Sequence, residues 1–114
     1  MVARSGWVPD RGDLIWLTFD PQAGREQAGR RPALVLSSAG YNIKSSLAVV
    51  CPVTSHVKGY PFEVAVSTER LKGCVLADHL KSVDWKQRRA KLIGRAAPNV
   101  IAEVINRVAA LFGV

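Results

Sequence analysis

The stretch Asp13-Leu14-Ile15-Trp16-Leu17-Thr18-Phe19 is a run of β-formers closed by Gly12 on one side and by Asp20-Pro21 on the other. That is the pattern of a strand. It is almost continuously apolar rather than alternating, as for a strand covered on both faces by a barrel interior or by a partner. Working outward, further strands are predicted at Ala33–Ser37, Leu47–Val53, Phe62–Val66, Cys74–Leu76 and Asp78–Val83, with Lys91–Arg95 as one more short strand. The breaks between them carry Gly40, Asn42, Gly59, Pro61 and Gly73. Short strands with such punctuation point to a small closed or nearly closed barrel of about six or seven strands. The period then changes. In Pro98–Phe112 the apolar residues Val100, Ile101, Val104, Ile105, Val108, Leu111 and Phe112 recur at helical spacing, with Pro98 suited to the first turn and Gly113 to the stop. The class is mainly β with α, and the amphipathic helix is expected to cover the barrel.

The 114 residues fit one domain, 1–114, and 48% hydrophobic residues can supply a core without a disulfide or metal staple. Residues 1–11 are polar, contain Pro9, and read as an N-terminal arm. Sixteen Lys and Arg against nine Asp and Glu give a net charge of +7. Such a balance favours polyanionic partners, nucleic acid before an acidic protein or a membrane surface. Cys51 and Cys74 each lie inside an apolar run, and His56 and His79 are the two histidines. There is no CxxC pair, so the cysteines read as buried and reduced, and no zinc site is expected. No apolar signal region or membrane-length run is present, which implies a soluble, cytoplasmic protein without membrane association.

Three segments carry candidate chemistry. The loop Asp20–Pro32 holds Arg25, Glu26, Arg30 and Arg31 within seven residues, and Gly24 and Gly29 let its backbone turn sharply. Arginine suits phosphate because its planar fork donates two parallel hydrogen bonds. The segment Cys51–Pro61 presents Thr54, Ser55, His56 and Lys58 at a strand end, where hydroxyls and an ammonium can hold a phosphate or simply make a polar turn. Lys81–Arg95 places six basic residues and Trp85 against one acid, Asp84. That mixture suits a single-stranded nucleic-acid groove or a solvated face.

Together these residues resemble the MazF family, the toxins of bacterial type II toxin–antitoxin pairs, also called PemK-like or Kid-like. The motifs that carry the resemblance run in order from Pro9 to Trp85. They are Gly12-Asp13-Leu14-Ile15-Trp16, Phe19-Asp20-Pro21, Gly24-Arg25-Glu26-Gln27-Ala28-Gly29 and Arg31-Pro32-Ala33-Leu34-Val35-Leu36-Ser37. Pro52-Val53-Thr54, Lys58-Gly59-Tyr60-Pro61-Phe62-Glu63-Val64 and Val75-Leu76-Ala77-Asp78 with Lys81-Ser82-Val83-Asp84-Trp85 complete the set. Two departures stand out: Thr18 replaces an acid found in many relatives, and His56 is not a family histidine.

The resemblance implies an SH3-like barrel, a homodimer, and metal-independent endoribonuclease activity on short sequences in single-stranded RNA, with no cofactor. It also implies a cognate acidic antitoxin whose C-terminal segment fills the RNA groove. It assigns cleavage to Arg31 and Thr54, with Glu26 also needed, and places Phe19, Asn42 and Lys58 near the RNA. Arg25, Arg30, Ser55, His56 and Lys81 are expected to add grip. Cleavage without a metal requires attack by the RNA's own 2′-OH, stabilisation of the phosphorane and protonation of the 5′-oxygen. Arginine stays protonated (pKa above about 12), so Arg31 is assigned to the phosphorane. Glu26 is either the base or a group that orients Arg31, and His56 is an acid–base residue by chemistry. The alternative is a non-catalytic toxin like the CcdB-like gyrase poisons, whose aromatic-Gly-apolar ending is similar to Leu111-Phe112-Gly113-Val114.

Overall fold

The structure, a computed structural model, describes residues 6–19 and 29–114. Its organising strand is β1 (Asp13–Phe19), which pairs antiparallel with β2 (Gly29–Val35) from Leu14↔Leu34 to Phe19↔Gly29. On its other edge it pairs with β7 (Lys91–Arg95). The continuous apolar run has a direct explanation in two cores. Ile15 and Leu17 are buried with Ala33, Val35, Ala48, Val50, Val83 and Trp85. Leu14, on the opposite face, is buried with Leu34, Cys51, Val53, Val75 and Val104. Each such side chain contributes about 1.5–3 kcal/mol when fully removed from water. The acid that begins the strand, Asp13, is also buried. Arg95 Nη1 holds its Oδ1 at 2.7 Å and the Asp10 amide donates to its Oδ2 at 2.9 Å, so the buried charge is compensated.

The long strand β3 (Leu47–Thr54) joins two parts of the fold. One edge pairs with β2. The other pairs first with β6 (Lys81–Asp84) and then, at Val53 and Thr54, with β5 (Lys72–Leu76). β5 in turn carries β4 (Glu63–Ser67). The seven strands form a curled half-barrel in the order β4-β5-β3-β2-β1-β7, with β6 beside β3. A short helix, α1 (Ala39–Ser45), bridges β2 and β3. The C-terminal helix α2 (Pro98–Leu111) lays Val100, Ile101, Val104 and Val108 onto the Leu14 core. Its last residue is Leu111, one short of the expected Phe112, and Gly113, whose φ of +74° is left-handed, follows as the stop.

Several boundaries differ from expectation. β2 begins at Gly29, not Ala33, because β1 extends to Phe19 and offers ladder partners to residues 29–32. Arg30 and Arg31 therefore stand on a strand rather than in a loop. Helix α1 replaces the break expected around Gly40 and Asn42. The Ser38 hydroxyl caps it by accepting from the Tyr41 amide, Asp10 Oδ1 accepts from the Ala39 amide at 2.9 Å, and Ser46 closes it at φ +65°. β6 starts at Lys81 because Ala77 and Asp78 form a turn, with the His79 amide donating to the Leu76 carbonyl. The described part of the expected arm is packed down: Pro9 is buried and Trp7 meets Trp85 edge-on at 6.4 Å.

Cys51 and Cys74 are free and buried. Burial pushes the Cys51 thiol up to about 12, reinforced by the charge of Asp78, and burial followed by Glu63 raises Cys74.

Candidate active site

In the β2–β3 ladder Ala33 lies opposite Pro52. The ladder ends there, and just beyond it Arg31 of β2 and Thr54 of β3 come to the same end of the sheet. Both side chains line two adjoining cavities. One, of about 270 Å³, is also bounded by Arg30, Ser55, His56, Leu71 and Lys72. The other, of about 420 Å³, is bounded by His56, Lys58, Tyr60, Glu63 and His79 in addition to Arg31 and Thr54. Arg31, Thr54 and His56 are common to both and mark the centre of the cleft.

Local structure fixes these groups. The Thr54 hydroxyl oxygen accepts from the His56 amide at 3.1 Å, which leaves its proton to donate into the cleft. Glu63, at the start of β4, accepts from the Lys58 amide at 3.0 Å and the Gly59 amide at 2.8 Å, so it folds the turn that presents His56 and Lys58. Beneath Thr54, Gly73 of β5 permits a backbone approach too close for any Cβ.

A second cationic patch adjoins the first through Arg30. Its Nη1 donates to Thr18 Oγ1 at 2.6 Å and to the Arg88 carbonyl at 3.3 Å. The Arg88 guanidinium and the Lys81 ammonium both sit over the Phe19 ring, at 5.0 and 5.3 Å from its centroid. Among the described residues no carboxylate pairs with Arg30, Arg31, Lys58, Lys72, Lys81 or Arg88. Their charge is available to an anion.

The structure thus brings together Arg31, Thr54, Ser55, His56, Lys58 and Arg30, with Phe19 and Lys81 in the adjoining patch. Arg25 and Glu26 lie outside the described residues. Asn42 does not belong to the cleft. It is fully buried on α1, where its Nδ2 donates to the Pro9 carbonyl at 2.6 Å and its Oδ1 accepts from Ser37 Oγ at 2.5 Å. An amide with both ends satisfied in the interior holds α1 against Pro9 and Ser37. Sequence reasoning missed Lys72, Tyr60, His79 and Arg88. Tyr60 had a signal, lying inside the Lys58–Val64 motif. Lys72 reaches Thr54 only through strand pairing, which no local pattern announces.

Taken as a class, this is a small basic half-barrel whose strand ends build a cationic cleft with a hydroxyl and an imidazole, a site for a phosphodiester. The chain belongs to the PemK-like, MazF-like toxins of type II toxin–antitoxin systems, a family that matches residues 10–112. It is 46% identical over 113 residues to the endoribonuclease toxin MazF of Escherichia coli K12, covering 99% of this chain and 100% of that protein. The crystal structure of MazF from Deinococcus radiodurans superposes with a TM-score of 0.85 at 53% identity, over 95% of this chain and 99% of that one. A crystal structure of the MazE–MazF complex from the same organism gives 0.88 at 53% identity, covering 95% and 98%.

Proposed function

We propose that this chain is the toxin of a type II pair and acts as a metal-independent endoribonuclease on single-stranded RNA. The observation that carries the reading is that Arg31 and Thr54, from neighbouring strands, line the same cleft amid cations that no described carboxylate pairs with. Arg31 provides a fixed positive charge and paired donors for the phosphorane oxygens as the 2′-oxygen attacks phosphorus. Thr54, its acceptor side occupied by the His56 amide, donates its hydroxyl proton to the same phosphate. Lys58, Lys72, Ser55 and Arg30 hold flanking phosphates, and Phe19 offers a face for base stacking beside Lys81. The products are a 2′,3′-cyclic phosphate and a 5′-OH end. Glu26 serves this reaction as base or as the group that orients Arg31, with Arg25 adding grip.

The chain works as one domain in the bacterial cytoplasm and as a homodimer. No described helix is long and apolar enough to cross a membrane. Its partner is an acidic antitoxin that competes with RNA for the positive cleft, an association that salt weakens. Primer extension on a long RNA incubated with the protein in EDTA tests the reading. Discrete, recurring cut sites are expected, lost in Arg31→Ala and Thr54→Ala. Folded variants that cut at the wild-type rate would overturn the assignment.

A further inference from the structure

We propose that His56 is the general base of this chain, taking the 2′-OH proton as the RNA is cut. The inference rests on the RNA-cleaving reading and adds to it the group that moves the proton. Three residues are shared by the two cavities, and His56 is the one of them whose side chain offers a ring-nitrogen lone pair to a proton. The Arg31 guanidinium is donor-only and has no lone pair to offer. The acceptor side of the Thr54 hydroxyl is held by the His56 amide, and that same bond anchors His56 two residues beyond Thr54. His56 is itself exposed, so its ring is accessible to substrate.

The groups around it divide by task. Arg30 and Arg31 from β2, Lys72 from β5 and Lys58 from the following turn are cations for phosphate. Glu63 of β4 faces the same cavity, but its carboxylate is committed to the Lys58 and Gly59 amides. His79 lines one cavity only and has Asp78 3.7 Å away.

In the step, the imidazole lone pair takes the 2′ proton while the O2′–P bond forms. The P–O5′ bond breaks and O5′ receives a proton from water. The resulting hydroxide is neutralised by the imidazolium proton, so no atom or charge is left over.

The test is single-turnover cleavage of a short RNA across pH, for the wild type, His56→Gln and Glu26→Gln. Binding is followed in parallel by anisotropy with a 2′-O-methyl analogue. For His56→Gln we expect a loss of about 10²–10⁴-fold, the usual worth of a positioned base. The acidic limb of the wild-type profile should flatten, affinity should be kept, and added imidazole should restore part of the rate. The proposal is overturned if His56→Gln keeps both rate and limb, or if the limb disappears in Glu26→Gln while surviving in His56→Gln. A wild-type protein that leaves every RNA intact would instead overturn the cleavage reading itself, and the base with it.

Discussion

Gly73 lies against the carbonyl of Thr54, so close that a methyl group at position 73 would overlap the carbonyl oxygen and sit 3.1 Å from its carbon. Since Thr54 pairs with the neighbouring Cys74, the obstruction falls on the strand that carries the cleft hydroxyl. Gly73→Ala is expected to cost about 1–3 kcal/mol of stability by overpacking. Displacing Thr54 should also slow cleavage by up to about 10²-fold. Gly40→Ala is the contrast: nothing lies within 4 Å of its position, and alanine favours the helix it occupies. Urea melts, with cleavage rates taken where both variants are folded, check the pair.

Asn42→Ala should unfold more readily without losing RNA affinity in its folded fraction. The substitution strands the Pro9 carbonyl, a cost of about 1–3 kcal/mol when buried and unsatisfied, and takes the acceptor from the half-buried Ser37 hydroxyl, which keeps its bond from the Val49 amide. Denaturant midpoints and anisotropy, measured on the same preparation, separate this outcome from a direct RNA contact.

Phe19 and Lys81 touch each other yet should respond differently to salt. Removing one phosphate contact in Lys81→Ala should reduce the slope of log affinity against log salt by about 0.7. Phe19→Ala should weaken binding through lost stacking, about 1–3 kcal/mol per base, with the slope unchanged. Titrations of one oligonucleotide at several salt concentrations decide between them.

The Cys51 thiol is raised by burial, and then by Asp78, from its ordinary value of 9.0 to about 12. A group whose folded value is raised stabilises the fold fully below the unfolded value, and the benefit is lost as pH climbs toward the folded one. Stability should therefore decline between about pH 9 and 12, less steeply in Cys51→Ala. Neither thiol should react with a disulfide reagent in the native protein at pH 8, and both should react in urea.

How far the chain could be read locally differs from element to element. β1 was legible to the residue because seven consecutive positions, nearly all apolar, lie between a glycine and a proline. α2 was legible because its stripe spans four turns. α1 was not, since its residues carry no apolar stripe and its first turn is tied by Ser38 and by Asp10, the latter far away in sequence. The arginines at 30 and 31 read as a loop because their strand character comes from pairing with Thr18 and Leu17. Arg31 and Thr54 were singled out by motif, but their meeting depends on the β2–β3 register. The burial of Asn42 was not legible for a related reason: it is a tertiary fact, and a polar amide in a Gly-containing break looks exposed until Pro9 and Ser37 close over it.

β3 is hydrogen-bonded to β2, β5 and β6, and Thr54 is its last residue. Opening the backbone there means breaking the seam between the two parts of the sheet, an event close to global unfolding rather than local fraying. Amide exchange along Val50–Val53 should accordingly be among the slowest in the chain. A cutting edge mounted on so protected a strand stays sharp for as long as the protein is folded. Such a toxin is disarmed by being covered, not by being loosened, which places the whole burden of restraint on the lifetime of whatever covers it.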